Sequence, residues 1–386
     1  MKTRTLSIKA IATALAVCAL VALAASSVVR AQAPGQAVDK NGAPMFKVDP
    51  FWPKPLPNRW SMQQVTGIHV DHMDHVWFLN RLQDVDPKEM AGEGTPAPAL
   101  CCVRGPEVIE LDQQGNVLNA WGGAGFHPKW PTALQTVIAD TKGFVWISGT
   151  DAQDSIMKFT RDGKLVWDFE HRPAPEAAKM PENNQETGTL INKGRFQLDE
   201  VANELYIIQQ KRVLIYDAST GAFKRGWGAY GKALSEISND GQPQVGREGA
   251  EPAKDFKSPV HCVRISKDGL VYVCDRGGNR VQVFTKDGKF QKEFFVARNT
   301  GMRGTVGSVD FSPDAAQKYI FIADIMNMTV WQLDRQTGAV VQRIGKMGRE
   351  GGNFAFLHLA TMDSKGNLYT GEVATGRRIQ KFSPQN

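Results

Sequence analysis

Apolar residues along this chain recur at alternate positions in short runs, and six runs share one design. Each carries an aromatic or large apolar centre and ends on a polar residue or glycine: His75–Asn80, Phe144–Gly149, Glu204–Gln209, Leu270–Asp275, Tyr319–Asp324 and Asn367–Glu372. A period of two is the signature of a β-strand. A further strand follows each run, ending at Leu111, Phe159, Tyr216, Phe284, Leu333 and Phe382, with gaps of 48, 57, 68, 49 and 49 residues between successive ends. Most units then add a turn and a fourth strand, as in Asp162–Phe169 and Asp287–Phe294, where an Asp-Gly pair between apolar runs marks a hairpin. Four short antiparallel strands repeated six times predict an all-β, six-bladed β-propeller around a central channel rather than a sandwich.

The longer gaps hold stretches rich in Pro, Gly, Glu and Asn at residues 83–105, 170–190 and 231–255, which are expected to form long loops on one propeller face. The sixth repeat ends with almost no chain left for an outer strand. Met45–Phe51 is expected to supply that strand and close the ring, removing an exposed sheet edge. The organisation that follows is a leader over 1–33, a closing segment over 34–59 and the propeller over 60–386.

The leader changes the reading of charge. The chain of 386 residues has a formal net charge of +6, but Lys2, Arg4, Lys9 and Arg30 precede the first acidic residue. Without them, 42 basic residues face 40 acidic ones, which is no footprint for a phosphate backbone, so a nucleic-acid partner is excluded. A basic start, an apolar stretch over 10–29 and Ala31-Gln32-Ala33 match a cleavable secretory signal. The expected mature protein is secreted or periplasmic, monomeric and free of the membrane. Export permits disulfides among Cys101, Cys102, Cys262 and Cys274. If the strands around the Lys267-Asp268-Gly269 turn pair symmetrically, Cys262 lies opposite Cys274, within bridging reach.

In a propeller the starts of the first strands line the axis. Counting back from the central aromatics gives one ring: Thr66, Gln135, Gly194, His261, Gly307 and His358. His261, His358 and Gln135 stand on alternate blades and are the candidate metal ligands, since imidazole suits zinc and amide oxygen binds it weakly. Arg81 and Arg276 share a second repeat position beside this ring. They are the candidate catalytic residues, two guanidinium forks for a carboxylate.

The run PVHCVRISKDGLVYVCDRGGNRVQVF over residues 259–284 resembles the NHL repeat. It is most similar to the catalytic domain of peptidyl-α-hydroxyglycine α-amidating lyase and its secreted bacterial relatives. The similarity extends over residues 46–386 and includes Phe46–Pro53 and the Cys101-Cys102 loop. The resemblance implies an axial zinc on three histidines, a nearby calcium, and two arginines and a tyrosine around the substrate. It also implies cleavage of a carbinolamide C–N bond into an amide and glyoxylate. His261 and His358 match two zinc ligands, and Arg81 and Arg276 match the arginines. Gln135 replaces the first ligand, Leu359 stands where an Asp is associated with calcium, and the third repeat (Tyr206–Val213) is shortened through the turn that carries the tyrosine. Asp275 and Glu372 are the replacement candidates for the base.

Three functions follow. The first is a divergent metal-dependent lyase or hydrolase acting on a small anionic or carbonyl-adjacent substrate. The second is a non-catalytic propeller that binds a peptide, glycan or protein partner. The third is a lactonase-like hydrolase, which requires axial carboxylates that the counted ring lacks.

Overall fold

The computed structural model describes residues 42–83, 85–173, 183–191, 194–258 and 260–385. The signal segment, Cys18 and most of the 34–59 segment's first half lie outside them. Six four-stranded antiparallel sheets follow one another as the blades of a propeller. Their inner strands are Gln64–Val70, Leu134–Ala139, Arg195–Asp199, Cys262–Ile265, Val306–Phe311 and Leu357–Met362, in blades 1 to 6. Consecutive inner strands pack side by side, and the sixth returns to the first. The second strands, Val76–Arg81, Phe144–Gly149, Glu204–Gln209, Val271–Asp275, Tyr319–Asp324 and Leu368–Glu372, fall within a residue of the runs read from sequence.

Phe46–Val48 pairs with Ile379–Pro384 as the outer strand of blade 6, with Phe46 opposite Pro384 and Val48 opposite Phe382. The first and last parts of the chain therefore share one sheet. Trp60–Ser61 forms a parallel bridge to Val103–Arg104, and the first blade begins at Gln64. Among the described residues no helix is long and apolar enough to cross a membrane.

The core is divided among the blade interfaces. Trp77, Leu79, Val137, Ile147 and Phe159 join blades 1 and 2, while Tyr272, Val281, Val309 and Ile322 join blades 4 and 5. Each fully buried large apolar side chain contributes about 1.5–3 kcal/mol, so every interface is a separate fastening. The aromatic at the fixed repeat position has a second reason to be there. Asp71 accepts a hydrogen bond from the Trp77 indole at 3.0 Å, Asp140 from Trp146 at 2.9 Å, and Asp363 from the Tyr369 hydroxyl at 3.0 Å. The same carboxylates accept backbone N–H groups of their own hairpin turns, His75 at 2.9 Å and Phe144 at 2.8 Å. One Asp thus shapes a turn and orients an aromatic that packs between blades.

Strand direction places the first-strand starts, the second-strand ends and the described parts of the loops over 83–105, 170–190 and 231–255 at one end of the channel. The polar residues that end the second strands tie down the chain entering the inner strands. Asn80 accepts from the Gln63 N–H at 2.6 Å, Asp275 from Lys257 at 3.0 Å, and Glu372 from Ala355 at 2.6 Å.

Candidate functional site

Backbone bulges build the axial ring. The pairing of first and second strands slips between Val65 and Ile68, Leu134 and Thr136, Val306 and Ser308, and Leu357 and Leu359. The residues skipped include Thr66, Gln135, Gly307 and His358, four of the six positions counted from sequence. The other two, Gly194 and His261, immediately precede Arg195–Asp199 and Cys262–Ile265. A bulge re-aims a side chain out of the sheet, and here that direction is the axis.

His261 and His358 meet edge to face with ring centroids 5.1 Å apart. His261 holds its Nδ1 2.5 Å from the Gly307 carbonyl, which fixes the N–H there and leaves Nε2 as a lone pair. His358 bonds the backbone of Val65, and its Nδ1 has no partner among the described residues. Both rings are neutral. Burial and then the charges of Arg195 and Arg276 pull His358 down to about 3 and hold His261 well below the usual imidazole range.

Arg81 and Arg276 stand at the same end of the channel. Arg81 donates to the Gln64 amide at 3.1 Å, and the carboxylate of Glu107 fixes the next residue by accepting from Leu82 N–H at 3.2 Å. The Arg276 backbone is packed on Gly304, whose φ of +76° and missing side chain make room: a Cβ there would lie 1.9 Å from the Arg276 carbonyl. Sequence counting missed a third guanidinium. Arg195 lines the same channel as His261 and Gln135, in a cavity of about 80 Å³, room for a few waters or one small molecule. It keeps some accessible surface because it faces the channel, yet burial, reinforced by Arg276 and Arg81, lowers it to about 9; burial and Arg303 lower Arg276 to about 10.

Several polar atoms around this end lack partners among the described residues: Thr66 Oγ1, His261 Nε2, His358 Nδ1, Arg195 Nε and Arg276 Nε. Buried polar groups are normally satisfied, so such a gathering marks a place for a ligand or water.

The candidate bases are occupied elsewhere. Asp275 pairs with Arg280 at 2.8 Å and accepts from Lys257 and Gly278, while Glu372 pairs with Arg378 and accepts from Ala355 and Phe356. They anchor loops. In the third repeat Gln209 pairs directly with Arg212 across a two-residue turn, and no tyrosine lines the axial cavity among the described residues. An axial carboxylate does exist one layer deeper. Asp310 accepts from Arg264 at 3.0 Å, Thr361 at 2.6 Å and the Met362 N–H at 2.9 Å, so it is fully engaged.

The donor set decides how a metal fits. Two imidazole lone pairs suit zinc, but Gln135 offers only a neutral amide, and the surroundings are cationic. Among the described residues, the grouping of His, Cys, Asp and Glu close enough to hold a metal is Asp71, His75 and Glu110, at the other end of blade 1. Those groups already bond Trp77, the turn backbone and Arg161. The residues on the axis therefore do not complete a zinc or calcium site.

Cys262 stands opposite Cys274, Val263 opposite Val273 and Ile265 opposite Val271. The two cysteines form a disulfide with Cα atoms 4.8 Å apart, and Cys101 is joined to Cys102. The first bridge pins the strand that starts immediately after His261.

Comparison with known proteins agrees with this architecture. Residues 260–284 match the NHL repeat. The chain is 27% identical to human NHL repeat-containing protein 3 over 295 residues, covering 73% of this chain and 74% of that protein. It is 25% identical to the mouse protein over 366 residues, covering 88% and 85%. Among solved structures, it resembles a streptogramin B lyase (TM-score 0.50, 13% identity, 88% and 98% coverage). It also resembles a structural genomics protein of unknown function from Bacteroides thetaiotaomicron (TM-score 0.52, 12% identity, 83% and 70% coverage). The chain is an all-β, six-bladed propeller carrying an NHL repeat.

Proposed function

We propose that this NHL propeller is an exported protein that binds a small carboxylate-bearing molecule at the loop-covered end of its axial channel. In this reading it is a divergent counterpart of the amidating lyase it resembles, keeping the carboxylate clamp while the metal centre has lapsed. One observation supports the reading: the Nε atoms of Arg195 and Arg276 and the ring nitrogens His261 Nε2 and His358 Nδ1, without partners among the described residues, gather at one end of the channel. Arg81 and Arg276 clamp the anion, because a planar fork matches a carboxylate and stays charged at neutral pH. The unprotonated nitrogens of His261 and His358 accept hydrogen bonds, which suits a ligand that carries a hydroxyl beside its carboxylate. Neither imidazole, being so weakly basic, takes up a proton near neutrality. Their contribution is orientation.

Titration calorimetry of the mature protein with N-acetylglycine tests the clamp. Binding that Arg276→Gln weakens at least about tenfold is the expected result; no binding overturns it. A second assay follows glyoxylate release from a peptidyl-α-hydroxyglycine with and without added zinc. Zinc held tightly in a one-to-one complex, with turnover, would restore the metal-dependent lyase reading. Carboxylate binding without turnover supports a binding propeller, which the three long loops at this mouth also favour.

A further inference from the structure

At the end of the blades away from the axial site, the second-strand aromatic of each blade faces the next blade. That next blade reaches back toward it with the residue two places past the end of its third strand. Between blades 1 and 2 this residue is Arg161, whose guanidinium lies 5.9 Å from the Trp77 ring and whose Nε donates to Glu110 at 3.0 Å. Between blades 4 and 5 it is Arg335, 5.6 Å from the Tyr272 ring and donating to its hydroxyl at 2.8 Å. Lys286 reaches Asp199 of blade 3, and Gln113 donates to Asp363 of blade 6 at 3.4 Å. Between blades 5 and 6 the position is Pro384, and Phe46 of the closing strand packs against Phe321 with centroids 5.6 Å apart. Blade 2 departs twice. Its cover is Ala218, too short to reach, and where blade 1 sets Glu110 opposite Trp77, Lys158 stands opposite both Trp146 and Trp167. A pocket of about 270 Å³ remains, lined by Trp146, Lys158, Val166, Trp167, Leu198 and Ala218 among others. An apolar cavity of roughly 150 Å³ accepts benzene, so this one has room for two fused rings.

The walls of this pocket decide what fits. Trp146 and Trp167 meet edge to face at 5.7 Å, and the aliphatic side chains complete an apolar surface. Its polar rim is engaged: Asn203 donates to Ser219 at 2.9 Å, Asp140 accepts from Trp146 at 2.9 Å, and Glu200 accepts the Thr141 N–H at 3.0 Å. That leaves little for a ligand rich in hydroxyls. Lys158 is the exception. Its ammonium lies 4.0 Å from the Phe144 centroid and 4.8 Å from that of Trp146, and it pairs with no carboxylate among the described residues. Asp140 and Glu200 act on it only through space. We propose that the pocket between blades 2 and 3 binds a planar aromatic carboxylate, its ring against Trp146 and Trp167 and its carboxylate on Lys158. The polarity of the Glu110–Arg161 pair is inverted: here the cation is built into the blade and the anion comes with the ligand. This site is separate from the axial channel and does not depend on the function proposed above.

Calorimetry on the mature protein with β-naphthoate and the neutral β-naphthalenemethanol tests this. Naphthoate is expected to bind at least about tenfold tighter than the alcohol, and Lys158→Met should erase that preference. Ala218→Arg restores the cover found between blades 1 and 2 and should abolish binding of both. Excess N-acetylglycine should leave naphthoate binding unchanged, which keeps this site distinct from the axial one. Absence of naphthoate binding overturns the proposal, as does equal affinity for the alcohol. Undiminished binding in Ala218→Arg, or displacement by N-acetylglycine, puts the ligand elsewhere and also overturns it. Should Ala218→Arg fail to fold, Lys158→Met decides alone, and an unchanged preference for naphthoate in that variant overturns the proposal.

Discussion

Two rings of side chains line the same channel, three residues apart along the same six strands, and they are built on opposite electrostatic plans. The deeper positions are His69, Ile138, Gln197, Arg264, Asp310 and Thr361, of which Ile138, Gln197, Arg264 and Thr361 line the axial cavity. Their one cation is matched: Arg264 donates to Asp310 at 3.0 Å and to Gln197 at 3.1 Å, and Asp310 also takes Thr361 and the Met362 N–H. The ring nearer the loops has imidazole nitrogens without partners, and beside it stand Arg195 and Arg276, whose Nε atoms also lack partners among the described residues. A closed polar network in a low-dielectric interior holds blades in register. An open one stores a cost that a ligand or ordered water relieves, and placing such a cost locally is how binding sites are usually made.

The contrast can be broken most forcefully at Asp310. Asp310→Ala removes four hydrogen bonds, from Arg264, Thr361, Met362 and Phe311, and strands Arg264, and is expected to cost about 2–4 kcal/mol in urea unfolding. A loss below about 1 kcal/mol would mean the deeper ring is no more structural than the other. Replacing Cys262 and Cys274 together by Ser should cost about 2–3 kcal/mol, since the bridge closes a short loop. It should also loosen anion binding, because His261 directly precedes that strand; unchanged binding would show the ring to be held by the sheet alone. At the open end the sign reverses. Arg195→Gln, without ligand, should raise stability by about 1 kcal/mol by removing an uncompensated cation. A lower melting temperature would place Arg195 with the structural residues.

The smallest effect concerns pH. Burial and then the Arg264 charge lower His69 to about 4, so the unfolded chain binds a proton that the folded protein refuses between about 6.5 and 4. The associated stability is complete above about 6.5 and is lost as pH falls toward 4. His69→Gln should flatten that limb by at most about one proton in slope. An unchanged slope would mean that His69 titrates normally in the folded protein.

Much of this molecule is readable from sequence because its repeats are local. Hairpin pairing depends on a turn and a few flanking residues, so the symmetry about Lys267–Gly269 suffices to set Cys262 against Cys274. Counting back from a repeated aromatic reaches the ring residues because each blade repeats one geometry. Asp275 and Glu372 mislead because an acidic residue near a site looks alike in sequence whether it faces the substrate or the backbone N–H groups of the next loop. The Asp six residues before Trp77, Trp146 and Tyr369 was a legible signal that periodicity alone overlooks.

The sequence by itself determined the all-β class, the six units, the closing role of Met45–Phe51 and the candidates His261, His358, Gln135, Arg81 and Arg276, since these follow from periodicity and turn chemistry within single repeats. Only the tertiary structure decided which charges are balanced. Arg264 and Asp310 are 46 residues apart and meet because inner strands of neighbouring blades run side by side. Arg195 enters the channel because Gly194 is pinned against blade 2 and yields the ring position to its neighbour. Electrostatic balance is a property of distances between blades, and no pattern along one strand encodes those distances.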